Sequence, residues 1–200
     1  GRIALRMMRR SPIFSIVAIV SLGLGIGANT AIFSLLNTLI LRPLPVHEPD
    51  RLVEVLSEYP GEPRHNGYSW KVFEHFRDQN HVFSDLFALS PALMQLGDAG
   101  AAAPVTGEYV TENFFSALGV TPAIGRLIGP FDHEPGTAPV VVVSWQLWQD
   151  RFNLNPSVLG RQVVVDGMPA TIVGVAPKSY RGLLVGYHPE LWLPLAAEKR

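Results

Sequence analysis

Residues Ser11–Leu41 read SPIFSIVAIVSLGLGIGANTAIFSLLNTLIL and contain no charged side chain. A charged group is costly in the hydrocarbon of a bilayer, so an uncharged apolar run of this length is typical of a transmembrane helix. About 20 helical residues are enough to cross the bilayer core. We therefore predict a transmembrane helix over residues 11–41, which tilts or continues beyond the membrane on one side, and a globular body after it.

The charges on either side of this apolar run predict its orientation. Residues 1–10 (GRIALRMMRR) contain four arginines and no acidic residue, whereas Arg42 is the one basic residue directly after the run. By the positive-inside rule this asymmetry, carried by Arg6, Arg9 and Arg10, predicts a cytoplasmic N-terminus and a body outside the inner membrane. The flank fits either a short amphipathic helix on the inner leaflet or a simple positively charged flank.

A cleaved signal peptide is the alternative interpretation of the apolar run. A basic flank and an apolar region are present, but the apolar part is too long for a signal peptide and no small-x-small cleavage site ends it. The sequence Arg42-Pro43-Leu44-Pro45 that follows is typical of a stiff exit from a retained anchor. The pattern therefore favours a retained span.

Small residues recur every fourth position inside the apolar run. Gly23 and Gly27 form a G-x-x-x-G pair, and Ala31 extends it. Small residues at this spacing let a second helix approach closely, which predicts a helix-packing face. The alternative is that these glycines reflect only the general frequency of glycine in membrane helices. The run is not a dinucleotide-binding fingerprint, because the spacing differs and no strand precedes it.

The remainder of the chain is acidic. Five of the 16 basic residues and none of the 17 acidic residues lie at or before Arg42, which leaves the body with six net negative charges. This balance argues against a nucleic-acid partner. The absence of cysteine excludes disulfides, cysteine-based zinc sites and cysteine nucleophiles. Because the 200 residues start with Gly-Arg and stop at Arg200, we expect a fragment of a longer protein.

Short apolar runs separated by proline and glycine predict an α+β body. Helices are predicted after the candidate N-caps Ser69, Thr111 and Ser144. Asp166-Gly167 predicts the turn of a hairpin. The predicted strands cover residues 51–57, 82–90, 104–110, 139–144, 162–166, 170–175 and, as a short edge segment, 191–194.

The motifs of the chain do not indicate an enzyme. No G-x-x-x-x-G-K-[ST] P-loop is present, so any ATP hydrolysis would reside on another chain or segment. Gly67–Lys71 lacks the second glycine of a nucleophile elbow, which leaves Ser69 as a helix cap. The six histidines are scattered without the spacing of a zinc site, and His133 is expected in a solvated turn. We predict no catalytic site, no metal site and no cofactor.

Four segments, taken in order, resemble one family of membrane proteins. They read GIGANTAIFSLLNTLILRPLPVHEPDRLV, ENFFSALGVTPAIGRLI, VVVVSWQLWQDRFNLNPSVLGRQVVVDGMPATIVGVAP and ELWLPL. They resemble the first span and the extracytoplasmic core domain of MacB-like (FtsX-like) ABC transporter permeases. The likeness covers nearly the whole chain and is closest to the duplicated orphan-permease branch of that superfamily.

This resemblance implies a transmembrane helix followed by an α+β periplasmic core domain with two subdomains, here residues 42–200. It implies a membrane-embedded permease-type subunit that couples a cytoplasmic ABC-type ATPase to the periplasmic domain, in efflux or mechanotransmission. It also implies a homodimer or a paired permease. The alternative is a single-span, membrane-anchored periplasmic binding or scaffolding module without transport activity. A third interpretation, an anchored hydrolase, lacks a visible nucleophile, base or metal constellation.

Overall fold

The structure is a computed structural model that describes residues 12–36, 46–58, 60–61, 63–98, 101–134 and 136–198. The chain forms two compact units, Gly1–Pro43 and Leu44–Arg200. The second unit is called the body.

The first unit contains one long helix, α1, over Pro12–Leu36. Its segment Ser15–Ser34 has 20 residues with a mean hydropathy of 2.0 and is, by length and composition, apolar enough to cross a membrane. The expected apolar helix is therefore present. Passage through a membrane stays a prediction, and residues 1–11 and 37–41 lie outside the described residues.

The body is an α+β domain, as the sequence predicted. Its helices are α2 (Trp70–Asp78), α3 (Phe114–Ala117) and α4 (Trp145–Phe152). Its strands are β1 (Leu89–Asp98), β2 (Ala101–Val110), β3 (Ile124–Gly125), β4 (Val140–Val143), β5 (Gln162–Val165), β6 (Met168–Val175) and β7 (Leu191–Pro194).

Six of these strands close into a ring. The hydrogen-bonded order is β3-β6-β4-β7-β2-β1-β5, and β5 also pairs with β6. The pairs β2–β7 and β4–β6 are parallel, and the other pairs are antiparallel. Closure leaves β3 as the short strand outside the ring, so the ring itself exposes few unpaired backbone groups.

The two faces of this sheet form two separate cores, because successive strand residues point to opposite faces. Val141 and Val143 of β4 enter one cluster, whereas Val140 and Val142 enter the other. The first cluster, called the inner cluster, receives side chains from all six ring strands and from α4. The second, called the α3 cluster, consists of Val110, Phe114, Phe115, Leu118, Ile128, Val140, Val142, Ala176, Tyr180 and Trp192.

Local signals in the sequence predicted several of these elements correctly. Ser144 caps α4, since its hydroxyl oxygen accepts a hydrogen bond of 3.0 Å from the backbone N–H of Leu147. Asp166 and Gly167, with φ of 49° and 82°, form the tight turn between β5 and β6. Such a turn requires positive φ at both central residues, which explains the Asp-Gly signal.

Other predictions about the elements were wrong, and the cause is tertiary pairing. Residues 52–56 form no strand, and only an isolated bridge joins Ser57 to His65. The segment 191–194 is not an edge, because β7 lies between β4 and β2 and all four of its residues are buried. Residues 82–88 are irregular. The cap before α3 is Asn113 rather than Thr111.

The division of the body into two subdomains, which the resemblance implied, stays a prediction. Residues 44–200 cluster as one compact unit, and one sheet contributes to both the inner cluster and the α3 cluster. Because the same strands contribute side chains to both clusters, the two clusters belong to one compact unit in the described part of the body.

Candidate functional site

The segment Val46–Leu52, called here the docked segment, attaches to the α3 cluster. It follows α1 in the sequence and belongs to the body. The half-buried side chains of Val46 and Leu52 pack against the cluster. The backbone N–H of His47 donates a hydrogen bond of 2.9 Å to the carbonyl oxygen of Leu118. The part of the body that comes first after the apolar helix is therefore held to the end of α3.

A glycine makes this close approach possible. Gly119 has a φ of +64°, and a Cβ atom placed there would lie 2.7 Å from the Cβ of His47. Real Cβ atoms do not approach so closely, and the left-handed backbone also disfavours other residues. Gly119 therefore ends α3 and provides the space that His47 occupies.

The docked segment has a defined turn of its own. Glu48 has a φ of 48°, and a single 3-10 turn covers Pro49–Arg51. The Arg51 guanidinium lies 2.8 Å from a carboxylate oxygen of Glu48, but both side chains are more than half exposed. Exposed pairs contribute little stability. The apolar contacts and the bond to Leu118 are therefore the main attachment.

Aromatic side chains connect α3 to the central strand β7. The rings of Phe115 and Trp192 are 5.8 Å apart in an edge-to-face arrangement. Tyr180 lies 6.1 Å from Phe115 and 5.7 Å from Trp192, so the three rings form one contact group. Aromatic pairs at such distances add to the stability gained from burial. A shift of α3 must therefore disturb the packing around Trp192.

A carboxyl group is buried directly beneath this aromatic group. Glu108 lies on β2 opposite Trp192 of β7, and the side chain is fully inaccessible to solvent. One carboxyl oxygen accepts a hydrogen bond of 2.9 Å from Trp192 Nε1. The other oxygen has no hydrogen-bond partner among the described residues. Burial raises the pKa of Glu108 to about 7, and the Trp192 bond opposes this only partly.

Two further polar atoms near this face are buried without a partner in the described part of the chain. They are the hydroxyl of Tyr180 and Nδ1 of His133. Nε2 of His133 lies 3.1 Å from the carbonyl oxygen of Val110, so the expectation of a solvated turn at His133 was wrong. Burial, and then the charge of Glu108, raise the pKa of Tyr180. Buried polar atoms without partners are uncommon in folded proteins.

A satisfied ion pair lies beside His133. The Arg126 guanidinium donates to both carboxylate oxygens of Asp132, at 2.6 and 2.7 Å. Burial by itself raises the pKa of Asp132, but the hydrogen bonds from Arg126 and from the Gly129 backbone outweigh it and lower that pKa. The bidentate geometry gives this pair a structural role.

Sequence reasoning did not single out Glu108. Alternation within residues 104–110 places Glu108 on the same side of the strand as Val110. That pattern alone does not show which face of the strand is covered, since Tyr180 and Trp192 come from distant parts of the sequence. The available signal was an acidic residue two positions before a core valine.

The residues predicted for the membrane helix lie where their spacing placed them. Gly23, Gly27 and Ala31 are exposed on α1, and apart from the adjacent residues and the local helix backbone no described atom lies within 4 Å of a Cβ built at either glycine. Four-residue spacing keeps the three on one side of the helix. Their role in packing stays a prediction. Arg6, Arg9 and Arg10 lie outside the described residues.

Metal chemistry has no visible basis in the described residues. No group of three histidine or acidic side chains could hold a metal ion in the part of the chain that the structure describes. The geometry instead combines a mechanical attachment with a buried carboxyl group, and both involve the α3 cluster.

Comparisons with known proteins bear on both the helix and the body. A family model described as the MacB-like periplasmic core domain matches residues 15–200. The extracellular domain of the noncanonic ABC-type transporter YknZ from Gram-positive bacteria is similar, with a TM-score of 0.54 and 17% identity, over 66% of this chain and 65% of that chain. The periplasmic region of MacB from Actinobacillus actinomycetemcomitans is similar, with a TM-score of 0.51 and 17% identity, over 63% and 55%.

These structural matches are partial and distant. The chain spans less than two thirds of each solved chain. At 17% identity the likeness shows the fold alone. A comparison with curated proteins returned no match.

Proposed function

The chain belongs to the family of MacB-like periplasmic core domains, and from this premise we propose that it is a permease-type membrane subunit of an ABC transporter. The proposal depends mainly on one observation: the family match runs from residue 15 to residue 200 and so includes the apolar helix together with the body. In this proposal α1 crosses the inner membrane and the body lies outside the cytoplasm.

The proposed mechanism is mechanical coupling through the docked segment. A displacement of the chain after the span would reach the body at Val46 and His47. The bond from His47 to Leu118 and the contact of Val46 with the α3 cluster would transmit it to α3. A partner can bias such a domain only if it binds two arrangements of the domain with different affinity.

The proposed partners follow from the same premise. A cytoplasmic ABC-type ATPase would supply the energy, because the P-loop is missing from this sequence. The face formed by Gly23, Gly27 and Ala31 would pack against another span, of a second copy or a paired permease. Efflux and mechanotransmission without transport of substrate through the membrane core are both compatible with this arrangement.

The orientation is tested with introduced cysteines, because the natural chain has none. Ser116→Cys lies at an exposed position of the body, and Ala4→Cys lies in the basic flank. In intact spheroplasts, a membrane-impermeant maleimide should label Ser116→Cys and should label Ala4→Cys only after lysis. Labelling of Ala4→Cys alone before lysis would falsify the proposed orientation, and loss of the helix by cleavage would contradict a retained span.

A further inference from the structure

The side chain of Glu108 projects from β2 toward the group of residues that includes α3, to which the docked segment is attached. Its carboxyl group bonds to Trp192, whose ring contacts Phe115 of α3. Leu118, the buried residue directly after α3, accepts the hydrogen bond from the backbone N–H of His47. The side chain of Trp192 therefore connects the buried carboxyl group to Phe115 of α3, and the docked segment is bonded to the end of that helix.

The surroundings of Glu108 favour a neutral carboxyl group. The titratable and charged groups of the elements packed around the α3 cluster include Tyr180, His133 and the Asp132–Arg126 pair, together with His47, Glu48, Asp50 and Arg51 of the docked segment. The Tyr187 hydroxyl donates to the carbonyl oxygens of Gly107 and Ala92, and Arg126 is held by Asp132. The side chains of Lys178 and Arg181 are exposed. No described cation is therefore paired with Glu108.

An ionised carboxylate in this position would be poorly solvated. One of its oxygens would retain the Trp192 N–H, while the other would have no donor among the described residues. A buried charge without partners costs much more than a buried neutral group. The domain can reduce that cost by letting water reach the carboxylate, and separation of α3, whose Phe115 packs on Trp192, would admit that water.

We propose that Glu108 is a proton-operated switch beneath α3: the neutral carboxyl group keeps α3 and the docked segment in place, and loss of the proton releases them. The raised pKa of Glu108, at about 7, puts this change in the neutral range. The switch extends beyond the proposed permease role, since it requires no ATPase, and it would make the attachment after the span responsive to the pH outside the cytoplasm.

The test is hydrogen–deuterium exchange of the full chain in detergent micelles, measured between pH 6 and pH 8 and corrected for intrinsic exchange rates. Peptides covering residues 46–52 and 114–120 report the docked segment and α3. If release requires ionisation of Glu108, their opening should increase about tenfold from pH 6 to pH 8, since one proton is lost. Peptides from β4 should change little and serve as the internal control.

Two variants identify the group that titrates. Glu108→Gln keeps an oxygen that can accept the Trp192 bond, and it should remove the pH dependence in both peptides. His133→Gln removes a histidine on the same side of the sheet and should leave the tenfold increase intact. A flat profile in the natural chain would overturn the proposal, and so would a response that persists in Glu108→Gln or vanishes in His133→Gln.

Each outcome remains informative if Glu108→Gln does not fold. The natural chain with His133→Gln then decides the matter, together with infrared detection of a protonated buried carboxyl group near neutral pH. Absence of that carboxyl signal at pH 6 would overturn the proposal. None of these results depends on whether an ATPase binds, so failure of the switch and failure of the proposed function can be distinguished.

Discussion

Glutamine in place of Glu108 is expected to abolish a pH dependence in the global stability of the body. The folded state binds the Glu108 proton more tightly than the unfolded chain does, because burial raises the pKa from 4.5 to about 7. The contribution of Glu108 to the free energy of unfolding is therefore fully present below pH 4.5, decreases as the pH rises, and is lost above pH 7.

The size of this effect follows from the two pKa values. The difference between 4.5 and about 7 corresponds to about 3 kcal/mol, at about 1.36 kcal/mol for each pKa unit. About 2.5 kcal/mol of this loss falls between pH 5 and pH 8. Asp132 contributes in the opposite direction, since its lowered pKa removes stability only as the pH falls into the acidic range. The difference between the natural chain and Glu108→Gln in the window from pH 5 to pH 8 therefore isolates the contribution of Glu108.

The assay is urea unfolding of the full chain in mild detergent, followed by tryptophan fluorescence. All four tryptophans lie in the body, so the signal reports that unit. The natural chain should lose stability from pH 5 to pH 8, and Glu108→Gln should lose much less. Glu134→Gln, at an exposed loop position, is the matched control and should follow the natural chain. Parallel pH profiles for the natural chain and Glu108→Gln would refute the reasoning.

Three further substitutions test the packing of the body, each measured as the change in the free energy of unfolding. Gly119→Ala should cost about 2–4 kcal/mol, because the new Cβ would meet His47. Gly160→Ala, with a φ of +81° but open space around it, is the control and should cost only about 1 kcal/mol of backbone strain. Equal losses would contradict the close approach of His47 to Gly119. Gly174→Ala should destabilise by more than about 4 kcal/mol or prevent folding, because its Cβ would overlap the backbone oxygen of Arg126; a small loss would show that the backbone there yields. Ser144→Ala should cost about 1 kcal/mol through loss of the α4 cap, and an unchanged stability would mean that the cap bond is not formed.

Local patterns in the sequence were sufficient for the elements that depend on neighbouring residues. The valine run of β4, the cap at Ser144 and the Asp166-Gly167 turn each carry their own signal. The apolar helix was predicted for the same reason, since its length and lack of charge are properties of the segment itself. Four segments, taken in order along the chain, resembled the MacB-like family, and the family match confirms that membership.

Elements that depend on distant partners were not predictable in this way. The segment 51–57 has the composition of a strand but finds no adjacent strand, and Val53 remains largely exposed. The segment 191–194 appeared to be an edge because it is short, yet β4 and β2 pair on either side of it. The composition of a segment shows only that its residues would pack well in a strand. Whether a neighbouring strand is available for pairing depends on the tertiary fold.

The candidate site combines residues from four separated parts of the chain. Val46 and His47, Glu108, Leu118 and Gly119, and Trp192 meet only after the ring of strands has closed. The contact of Gly119 with His47 and the burial of Glu108 required the tertiary structure.

The proposed mechanical coupling of the body to an ATPase-driven membrane helix is tested by purification of the full-length gene product from detergent-solubilised membranes. Any co-purifying P-loop ATPase is identified, and its turnover is measured with the natural chain, Gly119→Ala and Gly160→Ala. We expect a stoichiometric ATPase whose turnover depends on this subunit and changes in Gly119→Ala but not in Gly160→Ala. Absence of an ATPase, or turnover that is the same with and without this subunit, would contradict the coupling and favour a membrane-anchored binding or scaffolding module.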